Sequence, residues 1–273
     1  MANPENAGRR LSRQLQQTIR DYELIAPGDR ILVALSGGKD SYTLFDLLLQ
    51  LRPVLPECEL VGVHLDQRQP GYDGRPLVDW LEARGARFEI LSEDTYSVVK
   101  QHVSEGGTYC SMCSRLRRGI LYSAAERLGC NKIALGHHRD DAIETLLMNL
   151  FFSGRLQAMP ARYRTDDGRF EVIRPLIECD EPSIVHYAKR RAFPILPCNL
   201  CGSQSGLQRE EMSRLISSLE AQHPNLRAVM LAALKNVSAT HLLDRALRKD
   251  SPPPPEPVAR ARRTHRALPI LRG

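Results

Sequence analysis

Between Arg30 and Glu178 the chain alternates short apolar runs with stretches whose apolar residues recur at helical spacing. "RILVAL", "ELVGVHLD", "RFEILSE", "KIALGHH" and "FEVIRPLIE" read as strands, and "SYTLFDLLLQLRP", "PLVDWLEARG", "RRGILYSAAERLG" and "DDAIETLLMNLFFSG" as helices. Strands that are apolar throughout need cover on both faces, and intervening helices let each strand cross over to a parallel neighbour. The expected fold is α/β: a Rossmann-like parallel sheet with helices on both faces, preceded by an amphipathic helix over residues 8–25 that stops at "APGD". Ligands of such sheets gather outside the carboxyl ends of the strands, so the residues that end strands are the candidates for chemistry.

"SGGKDS", Ser36 to Ser41, ends the first strand and opens a helix. Glycines there allow close backbone approach, and the free amides of the helix start attract phosphate. The spacing of Gly37, Gly38 and Lys39 matches neither G-x-x-x-x-G-K-[ST] nor G-x-G-x-x-G. A plain strand-to-helix turn capped by Ser36 or Asp40 is the competing reading. At a later strand end, "GHHRDD" (Gly136 to Asp141) brings two carboxylates that suit a Mg2+ ion bridging phosphates. Asp141 with Glu144 could instead cap the helix, and only one of Asp140 and Asp141 can be the cap. His137 and His138 are either donors to a nucleotide or packed polar residues.

Seven cysteines are an odd number, and no secretory signal precedes them in "MANPENAGRRLSRQ", so metal or redox chemistry is a better expectation than a disulfide framework. Cys110 and Cys113 form one C-x-x-C pair and Cys198 and Cys201 another, 85 residues apart counted from Cys113 to Cys198. Spacing alone favours structural zinc. Cys58, Cys130 and Cys179 lie in or beside apolar segments and read as inert buried thiols.

"SGGKDS" resembles the PP-loop of the ATP pyrophosphatases, and "VHLDQ" and "GHHRDD" agree with it. Taken together, "SGGKDS", "CSMCSRLRRGILY", "LGHHRDDAIETL", "VIRPL" and "FPILPCNLCGSQ" resemble the tRNA 2-thiocytidine synthetase subfamily in register along about residues 10–243. The resemblance implies a PP-loop enzyme that uses ATP, Mg2+ and a [4Fe-4S] cluster to replace O2 of cytidine 32 of tRNA with sulfur. Ser36, Gly37, Gly38, Lys39, Asp40 and Ser41 would hold the phosphates, and His64, Leu65, Gly136 and Asp140 would also line the nucleotide site. Asp40 and Asp141 would arrange Mg2+, and Lys39, Asp40 and Asp141 are the catalytic candidates. Cys110, Cys113 and Cys201 would bind the cluster, with Cys198 nearby, leaving one iron open for the incoming sulfur. A cysteine desulfurase would supply that sulfur, and the subfamily suggests a homodimer.

RNA contacts are expected from Arg115, Arg117 and Arg118, just beyond the first cysteine pair, and from Arg162 and Arg164, with Arg155 and Arg169 in the same loop and "DDG" hairpin. Of the net charge of +6, the segment Asp244–Gly273 carries +5, from eight basic and three acidic residues. The body is therefore close to neutral, and a polyanion must meet local patches. The organisation expected is an N-terminal helix (1–25), a PP-loop domain with the cluster site (26–205), C-terminal helices packed on it (206–243) and a disordered basic, proline-rich tail (244–273). No run approaches the ~18 apolar residues of a membrane span, so a soluble, cytoplasmic protein is expected. A lysidine-forming ligase shares the loop but needs no cysteine pairs. A 2-thiouridine synthetase would carry further pairs at both ends of the chain. A zinc-containing RNA-binding protein would not need Asp40 or Asp141.

Overall fold

The computed structural model describes residues 4–102, 109–196 and 206–248. Helix α1 (Pro4–Asp21) precedes β1 (Asp29–Leu35), α2 (Lys39–Leu51), β2 (Cys58–Asp66), α3 (Arg75–Glu82), β3 (Phe88–Ser92), α4 (Thr95–His102) and α5 (Tyr109–Arg127). Then come β4 (Lys132–Ala134), α6 (Arg139–Phe152), β5 (Arg162–Arg164), β6 (Glu171–Ile173), α7 (Glu181–Arg190), α8 (Gly206–Gln222) and α9 (Leu226–Lys235). The strands form one sheet in the order β3-β2-β1-β4-β6-β5. All neighbours are parallel except β5, which returns antiparallel along β6. The sheet is thus mixed rather than wholly parallel, because the hairpin through Asp166–Gly168 adds an edge strand that needs no crossover.

Side chains of β1 alternate between two cores. Ile31, Val33 and Leu35 pack with Leu15 of α1, Phe45 of α2, Trp80 of α3 and Ile184 of α7, whereas Leu32 packs with Val61, Val63, Ala125 of α5 and Val172. Both faces are therefore covered by helices, as the apolar strands require. A smaller cluster of Ile143, Leu147, Met212 and Ile216 joins α6 to α8.

Three local differences from the sequence reading have physical causes. "FEVIRPLIE" contributes only Glu171–Ile173 to the sheet, since Pro175 has no N–H for a ladder and the chain turns there, with Ile177 N bonded to Arg174 O. The first cysteine pair lies in helix α5 rather than in a loop before it: Met112, Leu116 and Ile120 recur every four residues and extend the apolar stripe upstream. Helix α7 is capped by Asp180, whose side chain accepts from Ser183 N at 2.9 Å, with Pro182 in its first turn.

The described residues divide into two compact units, one ending at Leu234 and the second beginning at Lys235. In the second, two short turns (Ala239–His241 and Ala246–Arg248) are described, the first tied by Ser238 Oγ to His241 Nδ1 at 2.7 Å. Of the tail expected to be disordered, 244–273, residues 244–248 are described and include the second of these turns, and the remainder from residue 249 lies outside the described residues. Among the described residues no helix is long and apolar enough to cross a membrane.

Candidate active site

Strand β1 has β2 on one side and β4 on the other, so chain connections leave it in opposite directions and open a crevice at its carboxyl end. Ser36–Ser41 fills that position. Gly37 turns the chain with φ +82°, a conformation that costs glycine little, and its backbone runs so close to Leu196 that an added Cβ would lie 2.9 Å from that side chain. Gly38 is the N-cap of α2 and supplies no side chain to cap it. The first amides of α2 thus keep donors for an external anion, at the positive end of the helix dipole. The loop is held from inside: Ser41 Oγ accepts from Ser36 N at 3.1 Å, sits 3.1 Å from Ser36 Oγ and donates to Gly38 O at 2.9 Å. Ser41 is buried, so its hydroxyl shapes the cradle from beneath.

Gly136, after β4, passes behind this loop. A Cβ there would lie 3.1 Å from both Asp40 C and Ser41 N, backbone atoms that cannot swing aside. We expect Gly136→Ala to displace the start of α2 and weaken phosphate binding at the loop by about tenfold or more, on the scale of the 1–3 kcal/mol that overpacking costs. A thermal-shift titration with ATP, showing wild-type affinity, would remove this close approach from the nucleotide site.

Four charged groups converge beside the loop. Lys39 Nζ lies 3.2 Å from Asp40 Oδ1 and 2.9 Å from Glu181 Oε1 at the start of α7. Burial disfavours the ammonium, yet the carboxylates of Glu181 and Asp40 outweigh it and hold the Lys39 pKa above its ordinary value. Burial raises the Asp40 carboxyl, with Asp141 adding repulsion and Lys39 and His138 opposing. His138 Nε2 stands 3.8 Å from Asp40 Oδ1 and 3.5 Å from Asp141 Oδ2, so the two carboxylates flank one ring nitrogen.

Asp141 caps its own helix from the third position: its Oδ2 accepts from His138 N at 3.0 Å. Its Oδ1 meets Arg209 of α8 at 2.8 Å. Glu144, the other half of the expected capping pair, instead has Arg209 Nε 3.8 Å away. Asp140 is buried and does not cap α6. Its Oδ2 accepts from Glu181 N at 2.9 Å and its Oδ1 from Arg227 Nε of α9 at 2.7 Å. His137 Nδ1 accepts from Arg174 Nε at 3.3 Å, and burial, with Arg174 next in weight, pulls its pKa down to about 4.

The next strand end carries His64, Leu65 and Gln67. The buried His64 bonds Leu35 O through Nδ1 at 2.7 Å, and a carbonyl can only accept, so the proton is on Nδ1. Burial, reinforced by Arg117, lowers its pKa and keeps the ring neutral, leaving Nε2 to accept from the Tyr72 hydroxyl, whose own pKa burial pushes up to about 12. Both ring nitrogens are therefore engaged within the protein. Leu65 is buried in β2, paired with Leu91 of β3. Gln67 is buried too, and its Oε1 accepts from Cys113 Sγ at 3.3 Å and Thr95 Oγ1 at 3.2 Å. Cys113 thus stands at the carboxyl end of β2, on the same edge of the sheet as the phosphate loop. The side chain of Cys110, and Cys198 and Cys201 entirely, lie outside the described residues.

The arginines divide into two groups. Arg117 is half-buried and its charge reaches the ring of His64, whereas Arg118 is exposed, with its charge felt by Arg174 and Tyr122. Arg115 is exposed one turn earlier. Arg162 is drawn to the edge of the sheet, donating to Glu23 O at 3.1 Å with Glu171 3.9 Å away, and Arg164 is exposed on the same strand. Arg169 is bound to Asp167 and Glu126.

The donor set fits a phosphate-bound Mg2+. Asp40 Oδ1 is buried and has only the Lys39 ammonium, 3.2 Å away, as a partner, and like-charged Asp40 and Asp141 face one another across His138. No group of three His, Cys, Asp or Glu side chains among the described residues forms a metal cage. Mg2+ commonly takes one or two carboxylates and completes its shell with phosphate and water, which is what two carboxylates beside a phosphate cradle offer. The residues that sequence reasoning missed are Glu181, Arg209 and Arg227. Only Glu181 left a local signal, the "DEPS" helix start.

A glycine loop at the carboxyl end of β1, an uncapped helix behind it and a carboxylate from each of the β1 and β4 ends define a PP-loop nucleotide-using domain, and residues 8–194 match the PP-loop domain family model. A tRNA-cytidine(32) 2-sulfurtransferase from Cytophaga hutchinsonii is 50% identical over 238 residues, covering 87% of this chain and 84% of that one. Proteins of the same name from Sorangium cellulosum and Deinococcus radiodurans are 52% and 53% identical, over 88% and 86% of this chain and 86% and 79% of theirs. The fold is shared with the U34-tRNA thiolase NcsA from Methanococcus maripaludis, solved with its [4Fe-4S] cluster, at a TM-score of 0.66 and 24% identity, covering 86% of this chain and 81% of that one. The chain belongs to the tRNA-cytidine(32) 2-sulfurtransferase family.

Proposed function

We propose that the protein adenylates the C2 oxygen of cytidine 32 in tRNA and exchanges it for sulfur. The observation that carries this reading is the meeting of two chemistries on one sheet edge: the phosphate loop after β1 and the buried Cys113 at the end of the neighbouring β2. The family name supplies the substrate.

The C2 carbonyl of cytidine is a weak electrophile with a poor leaving group. In this reading its oxygen attacks the α-phosphorus of ATP, the bond to the bridging oxygen breaks and pyrophosphate departs. The amides of Lys39 and Asp40 and the Lys39 ammonium hold the departing charge. Asp40 and Asp141 hold Mg2+ against the phosphates. Glu181 keeps Lys39 in the crevice, and Arg209 and Arg227 fix Asp141 and Asp140. The outer sulfur of the donor's persulfide is released as hydrosulfide by two electrons from thiols, which become a disulfide; the hydrosulfide adds to C2, the C2–O bond breaks and AMP leaves.

Cys110, Cys113 and Cys201 are the proposed ligands of a [4Fe-4S] cluster, which when bound offers an open iron site for sulfur delivery. Arg117 and Arg118 lie where RNA entering the crevice would pass. A cysteine desulfurase as sulfur donor, a homodimeric working unit and a cytoplasmic location complete the reading, on the strength of the family.

The test is anaerobic purification, reconstitution with iron and sulfide, and incubation with ATP, Mg2+, a cysteine desulfurase, cysteine and tRNA, followed by mass spectrometry of the nucleosides. About four irons per chain and ATP-dependent 2-thiocytidine are expected. One zinc per chain after reconstitution, with no thiolated cytidine, would favour the zinc reading of the cysteines and end the sulfur-transfer proposal.

A further inference from the structure

Helices α1, α2 and α7 enclose a groove of about 650 Å3 lined by Arg9, Arg13, Gln50, Tyr187, Arg190 and Arg191, with no carboxylate on its walls. Arg9 and Arg13 are four residues apart on α1, so they present like charge on one helix face, an arrangement that by itself destabilises a helix. Arg13 Nε donates to Arg9 O at 3.3 Å, which leaves its terminal nitrogens unspent. Among the described residues, Arg9, Arg13 and Arg190 have no acidic partner and are exposed. Arg191 is bound through Nε and Nη2, both at 3.0 Å, to the buried Asp46, which also carries Arg84. Arg191 is thus neutralised by the carboxylate beneath it, and the positive charge of the groove comes from Arg9, Arg13 and Arg190. Before Asp244 the chain carries a net charge of only about +1, so this concentration of unpaired arginine is local and is not the average of a basic protein.

The groove is tied to the reaction crevice by α7. Its first residue, Glu181, holds Lys39 of the phosphate loop at 2.9 Å, and Arg190 follows nine residues later, a rise of about 14 Å along the helix. We propose that this groove binds a run of RNA backbone phosphates of the same tRNA, several nucleotides away from the reacting one. The proposal rests on the thiolation reading above. It adds a second anchoring surface, separate from the arginines of α5. Planar guanidinium forks on an acid-free wall suit phosphate oxygens, and such contacts orient RNA without reading its bases.

The experiment is fluorescence anisotropy of labelled tRNA with reconstituted wild-type protein, R13E/R190E and the neutral R13Q/R190Q, across a series of KCl concentrations. Melting temperature and ATP affinity are measured on each, and the charge-neutral pair serves if charge reversal prevents folding. Loss of two phosphate contacts is expected to weaken binding at least tenfold near 0.15 M salt and to flatten the slope of log K against log salt by roughly 1.4 to 1.8, with ATP affinity unchanged. Wild-type affinity and slope in the folded variants, alongside tRNA thiolation by the wild type, would overturn the groove while leaving the function standing. A wild-type protein that neither binds nor thiolates tRNA would overturn both.

Discussion

Asp141→Asn is expected to lower the rate of tRNA thiolation by at least about 100-fold while tRNA affinity stays within twofold of wild type. The substitution isolates charge from structure. Asparagine is a good acceptor for the N–H of His138, which Asp141 Oδ2 now takes at 3.0 Å, so the start of α6 is retained. What disappears is the negative charge that pairs with Arg209 at 2.8 Å and, in the proposed mechanism, holds Mg2+ against ATP. The defect should therefore fall on adenylation, visible as loss of pyrophosphate release in a single turnover. Retained pyrophosphate release and thiolation would remove Asp141 from the catalytic role and leave it a helix cap.

The parts of this site that lie within one strand–loop–helix unit were legible in the sequence. Lys39 and Asp40 sit in the loop they serve, Asp141 opens the helix whose first turn it bonds, and each follows a run recognisable by its apolar residues. The partners of these residues were not legible. Glu181, Arg209 and Arg227 reach the site from α7, α8 and α9, the last two across 68 and 87 residues of sequence, and no spacing rule links an arginine to a carboxylate at such separations. Asp140 shows the consequence. Adjacent carboxylates read as two ligands or one ligand and one cap, whereas the fold employs Asp140 to receive the first amide of α7 and the guanidinium of Arg227.

His64 teaches the converse. A histidine ending a strand beside a nucleotide loop invites a role as a donor, but the parallel pairing of β1 with β2 sets Leu35 opposite His64, and the carbonyl of Leu35 takes the ring proton. Register, which the sequence does not display, decided how that side chain is used. The mixed sheet has the same origin. A three-residue edge strand, Arg162–Arg164, is too short and too polar to show the alternation by which strands are recognised.

Cys113→Ser should show the opposite signature to Asp141→Asn: no detectable 2-thiocytidine, with ATP binding and single-turnover pyrophosphate release near wild type. Cys113 is buried, and its thiol donates to Gln67 Oε1 at 3.3 Å, a bond that a serine hydroxyl can also make. The protein should therefore fold, and the start of α2 has no reason to move. A serine cannot replace a thiolate as a soft ligand, so reconstituted C113S should hold less iron and lose the broad visible absorption of a cluster. Were C113S to thiolate tRNA at the wild-type rate, sulfur would have to reach cytidine by a route independent of this cysteine. If it lost pyrophosphate release as well, the two chemistries would be one coupled site rather than two neighbours on a sheet edge. Gln67 would then be the first residue to substitute, because it bonds Cys113 and Thr95 at the end of the strand that lies against β1.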